Sequence, residues 1–214
     1  VYGAIDGTVT TFAVVSGVSG ADLSPNIVIV LGMANLVADG FSMAVGNYLG
    51  IRAELHRQDK TRREEEEHID GFPEGEIEEI RQIFAAKGFE GEDLERAVAV
   101  ITSDRKQWVE TMLREEHGFD LTTQSPIRAA LVTFVAFGIA GFVPLAPFVW
   151  NWLFDWQIGM PFTLSTIATG ATFLAIGAIK GRLVDRSRVQ SALETLLVGG
   201  AAAGLAYLAG YLLR

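Results

Sequence analysis

The chain has 214 residues, half of them hydrophobic and a fifth charged, with a net charge of -9 and no cysteine. An acidic chain carries no electrostatic footprint for nucleic acid, whose phosphates it would repel. Without cysteine there is no disulfide framework, no thiolate zinc site and no cysteine nucleophile, so the chemistry must come from carboxylates, methionines and three histidines. The charges are segregated: residues 50–122 hold 20 of the 26 Asp and Glu and 11 of the 17 Lys and Arg, which leaves 12 charged residues for all the rest. A remainder so poor in charge reads as membrane material, and cations are the natural partners of the acidic stretch.

Five apolar runs are long enough to cross a hydrocarbon core of roughly 30 Å as helices at 1.5 Å per residue. They cover approximately 4–20, 27–50, 127–154, 161–179 and 192–213. The first is short, and the chain starts at Val1 without an initiator Met, so missing N-terminal residues are expected; no cleavable signal-peptide pattern is present. Pro144 and Pro147 should kink or end the third run. Basic residues concentrate on alternate connections: Arg52, Arg57, Lys60, Arg62 and Arg63 after the second run, Arg128 before the third, and Lys180, Arg182, Arg186 and Arg188 between the fourth and fifth. The connections 21–26 and around Asp155 have none, and Trp150, Trp152 and Trp156 fit an interfacial belt. The expected fold is therefore an all-α integral membrane protein, divided into 1–50 (helices one and two), 51–122 (a cytoplasmic three-helix insert) and 123–214 (helices three to five). The N-terminus should be cytoplasmic and the C-terminus outside.

Within the insert, one helix continues the second span to about residue 69, where Asp70-Gly71-Phe72-Pro73 signals a turn. A second is predicted over about 74–87, with Ile77, Ile80, Ile83 and Phe84 at helical spacing. A third covers roughly 93–117, with Ser103-Asp104 a point where it can break. Seventy residues make a small core, so metal or a second copy would help to hold it.

Two constellations carry candidate chemistry. In the insert, Glu64 to Glu67 form an unbroken acidic run followed by His68. Taken alone, such a run is most simply a solvated helix face. Glu64 and Glu67 stand at i,i+3, as do Glu76 and Glu79, while Met112 and Glu116 stand at i,i+4, so each helix presents a pair on one face. Like charges so placed repel unless cations neutralise them. Carboxylates suit hard cations and a thioether adds softness, so Met among Glu points to Fe(II) or a similar first-row ion, unless Met112 merely fills core space. In the apolar runs, Asp6, Asp39 and Glu194 are costly carboxylates in or at the ends of spans. Asn35, Asp39 and Met43 share one helical stripe, and a desolvated carboxylate exchanges a proton for a cation. The pairs Gly46/Gly50, Gly177/Gly181 and Gly200/Gly204 have close-packing spacing and argue for a tight bundle or dimer.

Asp6-Gly7-Thr8 with Phe12, Ser16-Gly17-Val18-Ser19-Gly20, the run from Ser42 to Leu49, Val143-Pro144-Leu145 and the run from Ser191 to Thr195 together resemble the vacuolar iron transporter family, in order along nearly the whole chain. That resemblance implies a five-helix homodimer in the lipid bilayer that exports Fe(II), and in some members Mn(II), from the cytosol in exchange for protons. It implies no permanently bound cofactor and, for a prokaryotic-type member, the plasma membrane. By position, Asp6 and Met43 match the family's transport path, and Glu76, Glu79, Met112 and Glu116 its cytoplasmic ligands. The first-helix pair matches either Glu64 and Glu67 or, one residue on, Glu65 and His68; two carboxylates favour the former. Where plant-type members carry a Glu in the second span this chain has Asn35, and Asp39 a turn later is placed to supply the missing carboxylate. A membrane-anchored di-iron oxidase or ferritin-like protein is the alternative, but such sites use two Glu-x-x-His motifs and only Glu65-x-x-His68 is present.

Overall fold

The computed structural model describes residues 1–121, 124–154 and 159–214. Every regular element among them is helical: α1 (Tyr2–Gly20), α2 (Pro25–Gly71), α3 (Pro73–Ala86), α4 (Gly91–Thr102), α5 (Arg105–Glu115), α6 (Pro126–Phe142), a 3-10 turn (Val143–Leu145), α7 (Ala146–Phe154), α8 (Pro161–Leu183) and α9 (Arg188–Leu212). The chain divides into two compact units, Val1–Tyr48 with Pro126–Arg214, and Leu49–Ser125, so that the division falls inside α2.

In the first unit α1 packs against α9, α6 and α8. Glycines permit the approach: a Cβ at Gly7 would collide with the backbone of Phe137, and one at Gly20 with the backbone of Tyr207. Phe12, Val15, Leu36, Phe137, Leu145, Phe148 and Phe173 form the buried core. Large apolar side chains such as Val30, Val37, Ile127, Leu131, Ile139, Ile167, Leu197 and Leu205 point outward instead. Exposed apolar surface on that scale belongs to a protein solvated by lipid.

Four stretches are long and apolar enough to cross a membrane: α2, the stretch Pro126–Phe154, α8 and α9. Five were expected. The difference is α1, whose 19 residues are diluted by glycine, serine, threonine and Asp6. The two prolines end α6 as anticipated, and the 3-10 turn separates it from α7. The Pro144 carbonyl at the break accepts a hydrogen bond from the buried Ser165 hydroxyl at 2.6 Å, so this acceptor is not orphaned in an apolar layer. Trp150 and Trp152 lie exposed on α7, whereas Asp155 and Trp156 are outside the described residues. Of the spaced glycines, Gly177 and Gly181 pack on Ser191, Ala192 and Arg188 of α9, while Gly46, Gly50, Gly200 and Gly204 face open space.

The second unit has its own core of Ile69, Ile80, Val98, Trp108, Val109, Met112, Leu113 and Phe119. The helix expected over 93–117 is two helices. Asp104 adopts an extended backbone and its carboxylate accepts the Gln107 N–H at 3.0 Å, capping α5 and ending the run from α4. Ion pairs tie the elements together: Arg105 to Asp70 at 2.5 Å, Arg81 to Glu95 at 3.0 Å and Lys87 to Glu115 at 2.6 Å. Each is open to solvent, which screens the attraction, so it adds little to stability.

Candidate metal-binding sites

The acidic unit turns one face of α2 inward. Ile69 is buried, and Glu65, four residues before it, lies on the same stripe and is only 3% exposed. The same phase recurs on α3, where Glu76 precedes the buried Ile80 by four and is 6% exposed. At the end of α5, Glu116 follows the buried Met112 by four and His117 follows the buried Leu113 by four. These helices thus converge their polar ends on one locus. Glu65 Oε1 is 2.8 Å from His117 Nε2, which is 3.8 Å from Glu116 Oε2. Ligand atoms of Glu65, Glu116 and His117 all lie within 4.8 Å of one another. His68 Nδ1 is 3.7 Å from Glu76 Oε1.

Charge is poorly compensated at this locus. The second oxygens of Glu65 and Glu76 are buried and have no hydrogen-bond partner. Burial, reinforced by the neighbouring charges of Glu79, Glu65 and Glu116 and opposed by His68, pushes the Glu76 carboxyl above its ordinary value. Burial likewise raises Glu116, with Glu65 and Glu79 adding to it and His117 and His68 working against it. Carboxylates with imidazoles and unfilled acceptor oxygens make a donor set suited to a divalent first-row ion.

Of the two first-helix pairs weighed from sequence, Glu65 and His68 stand on the converging side. Glu64 is exposed and pairs with Lys60 at 3.4 Å, and Glu67 is exposed. Glu76, Glu79 and Glu116 interact electrostatically with one another, and Glu76 and Glu116 also with Glu65. Met112 is fully buried within the apolar cluster of Ile69, Ile80 and Trp108. His117 escaped sequence reasoning, although its place four residues after an apolar core position was a usable signal.

In the membrane unit, α1 and α2 meet through polar side chains at successive levels. Asp6 and Asp39 are half-buried and their charges act on each other. One turn of α2 away, Asn35 donates from Nδ2 to Thr10 Oγ1 at 3.2 Å and Thr11 Oγ1 at 3.5 Å. Met43 is partly buried against the core. Glu194 is not of this group; it is exposed and held by Lys180 at 3.3 Å, across α8 and α9.

Lipid-facing helices, carboxylates and a thioether among them, and a separate acidic unit with converging candidate ligand atoms define an integral membrane protein with a candidate cation site. The sequence profile of the VIT family matches residues 1–211. The vacuolar iron transporter of Toxoplasma gondii is 35% identical over all of this chain and 73% of its own length. That of Centaurea cyanus is 29% identical, over 97% of this chain and 83% of its own, and vacuolar iron transporter 1 of Arabidopsis thaliana 28% over 97% and 82%. The chain belongs to the VIT family, a family of transporters and not of enzymes.

Proposed function

We propose that the protein carries divalent transition metal, Fe(II) and also Mn(II), out of the cytosol in exchange for protons. The observation that carries the reading is the pair of buried carboxylates, Glu65 and Glu76, each with an oxygen left without a partner in a cluster of like charges. Buried, uncompensated charge costs several kcal/mol, and a divalent cation drawn from the cytosol would remove that cost. The relatives' description as iron transporters supports iron as cargo. Ligands in the acidic unit are Glu65, His68, Glu76, Glu79, Glu116 and His117, with Met112 contributing through the walls of the site. Asp6, Asp39, Asn35 and Met43 make up the path through the membrane unit, where a carboxylate releases a proton to accept the ion.

In this reading α1 is the fifth span. Surrounded by α6, α8 and α9, it needs little lipid-facing apolarity, which accounts for its glycine and threonine content. The basic connections support a cytosolic acidic unit, and the likeness to a prokaryotic-type member supports the plasma membrane. The open faces at Gly46 and Gly200 are suited to a homodimer in which each ligand type appears twice. The test is uptake of Fe(II), Mn(II), Co(II) and Zn(II) into proteoliposomes reconstituted with the purified protein. Flux of Fe(II) and Mn(II) that tracks protein content is expected; no flux of any of the four would overturn the proposal.

A further inference from the structure

The polar stripe on α2 continues past Met43. Asn35, Asp39, Met43 and Asn47 stand at successive intervals of four residues. At 3.6 residues per turn each such step advances the stripe by about 40°, so over three steps it turns by about 120° around α2. The hydrogen bonds follow that rotation. Asn35 reaches α1, through Thr10 and Thr11, whereas Asn47 reaches α6, where its Nδ2 donates to Thr133 Oγ1 at 2.9 Å. Met43 lies between the two directions.

Where the stripe turns, the membrane unit has a cavity of about 480 Å³ lined by Val1, Tyr2, Gly3, Met43, Asn47 and Thr133 among others. Gly3 belongs here by necessity, since a Cβ would run into the Thr133 carbonyl oxygen. The lining is otherwise largely apolar, so the Met43 thioether and the Asn47 amide are the α2 groups in it able to contact a cation. Asn47 is half-buried, its amide nitrogen donates to Thr133, and among the described residues its Oδ1 accepts no hydrogen bond. An amide whose donor side is pinned and whose acceptor side is free is a preorganised oxygen ligand.

We infer that Asn47 is a further metal-contact residue of the transport path, its amide oxygen and the Met43 thioether forming a neutral first station for the divalent cation, with Thr133 as the positioning residue. This rests on the transport reading above. The chemistry suits a transit station. A carbonyl oxygen is a hard donor and a thioether a soft one, a combination that a first-row ion accepts better than Mg or Ca. Neither is charged, so the ion is held loosely enough to move on to the carboxylates of Asp6 and Asp39, one helical level deeper.

Mn(II) flux into proteoliposomes at graded concentration tests this with three variants, each checked for its elution profile and melting temperature. Asn47→Leu keeps the volume and removes the oxygen; its apparent KM for Mn(II) should rise about tenfold, with a smaller change in maximal rate. Thr133→Val removes only the positioning contact and should raise KM by about threefold. Asn47→Asp keeps an oxygen that Thr133 can hold and adds charge, so its KM should fall below the wild-type value. A KM in Asn47→Leu within about twofold of wild type, or a loss in Thr133→Val equal to that in Asn47→Leu, would reduce Asn47 to a bridge between α2 and α6 and overturn the inference. Should Asn47→Leu fail to fold, Asn47→Asp decides: a lowered KM supports the station and an unchanged one overturns it. Wild-type protein without Mn(II) or Fe(II) flux would instead overturn the transport reading itself.

Discussion

Glu64 and Glu65 are adjacent, identical in chemistry, and opposite in circumstance: one pairs with Lys60 in solvent, the other is buried against His117. Glu65→Gln should therefore weaken Mn(II) binding to the purified protein by about tenfold or more in calorimetry, while Glu64→Gln leaves it unchanged. Equal effects would refute the assignment of Glu65 as a ligand. Glu76 supplies a pH test. Its carboxyl is raised above the ordinary 4.5 by burial and by its acidic neighbours. The folded protein thus holds this proton more tightly than the unfolded chain. The stability it contributes is present below 4.5 and is lost as pH rises through the raised value. Glu54, Asp70 and Glu78 are lowered by hydrogen bonds from arginine, so their contributions vanish only on acidification below the ordinary range and stay out of this window. Glu116 is raised by burial too and adds to the same window, so metal-free protein should melt at higher temperature near about pH 5 than near about pH 7.5, and Glu76→Gln should reduce the difference without abolishing it. A melting temperature that rises with pH in both proteins would contradict this. At this scale the sequence was half legible. The acidic run pointed to a candidate cation site, but the choice of register needed the phase of the helix, which Ile69 marks once it is known to be buried.

Elements aim these side chains. The break at Ser103-Asp104 lets α5 leave the direction of α4, and the Asp104 cap holds its start while Glu116 and His117 lie at its far end. Asp104→Ala should cost about 1 kcal/mol in stability and leave metal affinity within about twofold, since the cap is remote from the ligands. A loss of affinity as large as that of Glu65→Gln would mean that α5 does not hold its direction without the cap. Helix content and the apolar stretches were readable from periodicity and length, as was the interruption by Pro144 and Pro147. Less legible was α1: glycine and threonine lower its apolarity because its surroundings are other helices, and a criterion based on composition cannot see neighbours.

For the whole molecule, the central claim divides labour between the two units. The acidic unit, outside the apolar helices, gathers the ion with carboxylates whose burial a cation offsets; Asp6 and Asp39 sit among apolar helices, where a charge is costly, and serve to move it. Replacing Glu65, Glu76, Glu79 and Glu116 together by Ala should raise the KM for Mn(II) flux by about tenfold and preserve most of the maximal rate at saturating metal. Complete loss of flux at saturation would place the acidic unit in the transport step itself. The claim is tested most directly by following metal uptake and internal pH together in proteoliposomes containing wild-type protein or Asp39→Asn. Exchange predicts that wild-type uptake moves protons in the opposite direction and that Asp39→Asn, nearly identical in size but unable to carry a proton, loses the coupled flux. Wild-type rates of metal and proton movement in Asp39→Asn would contradict it.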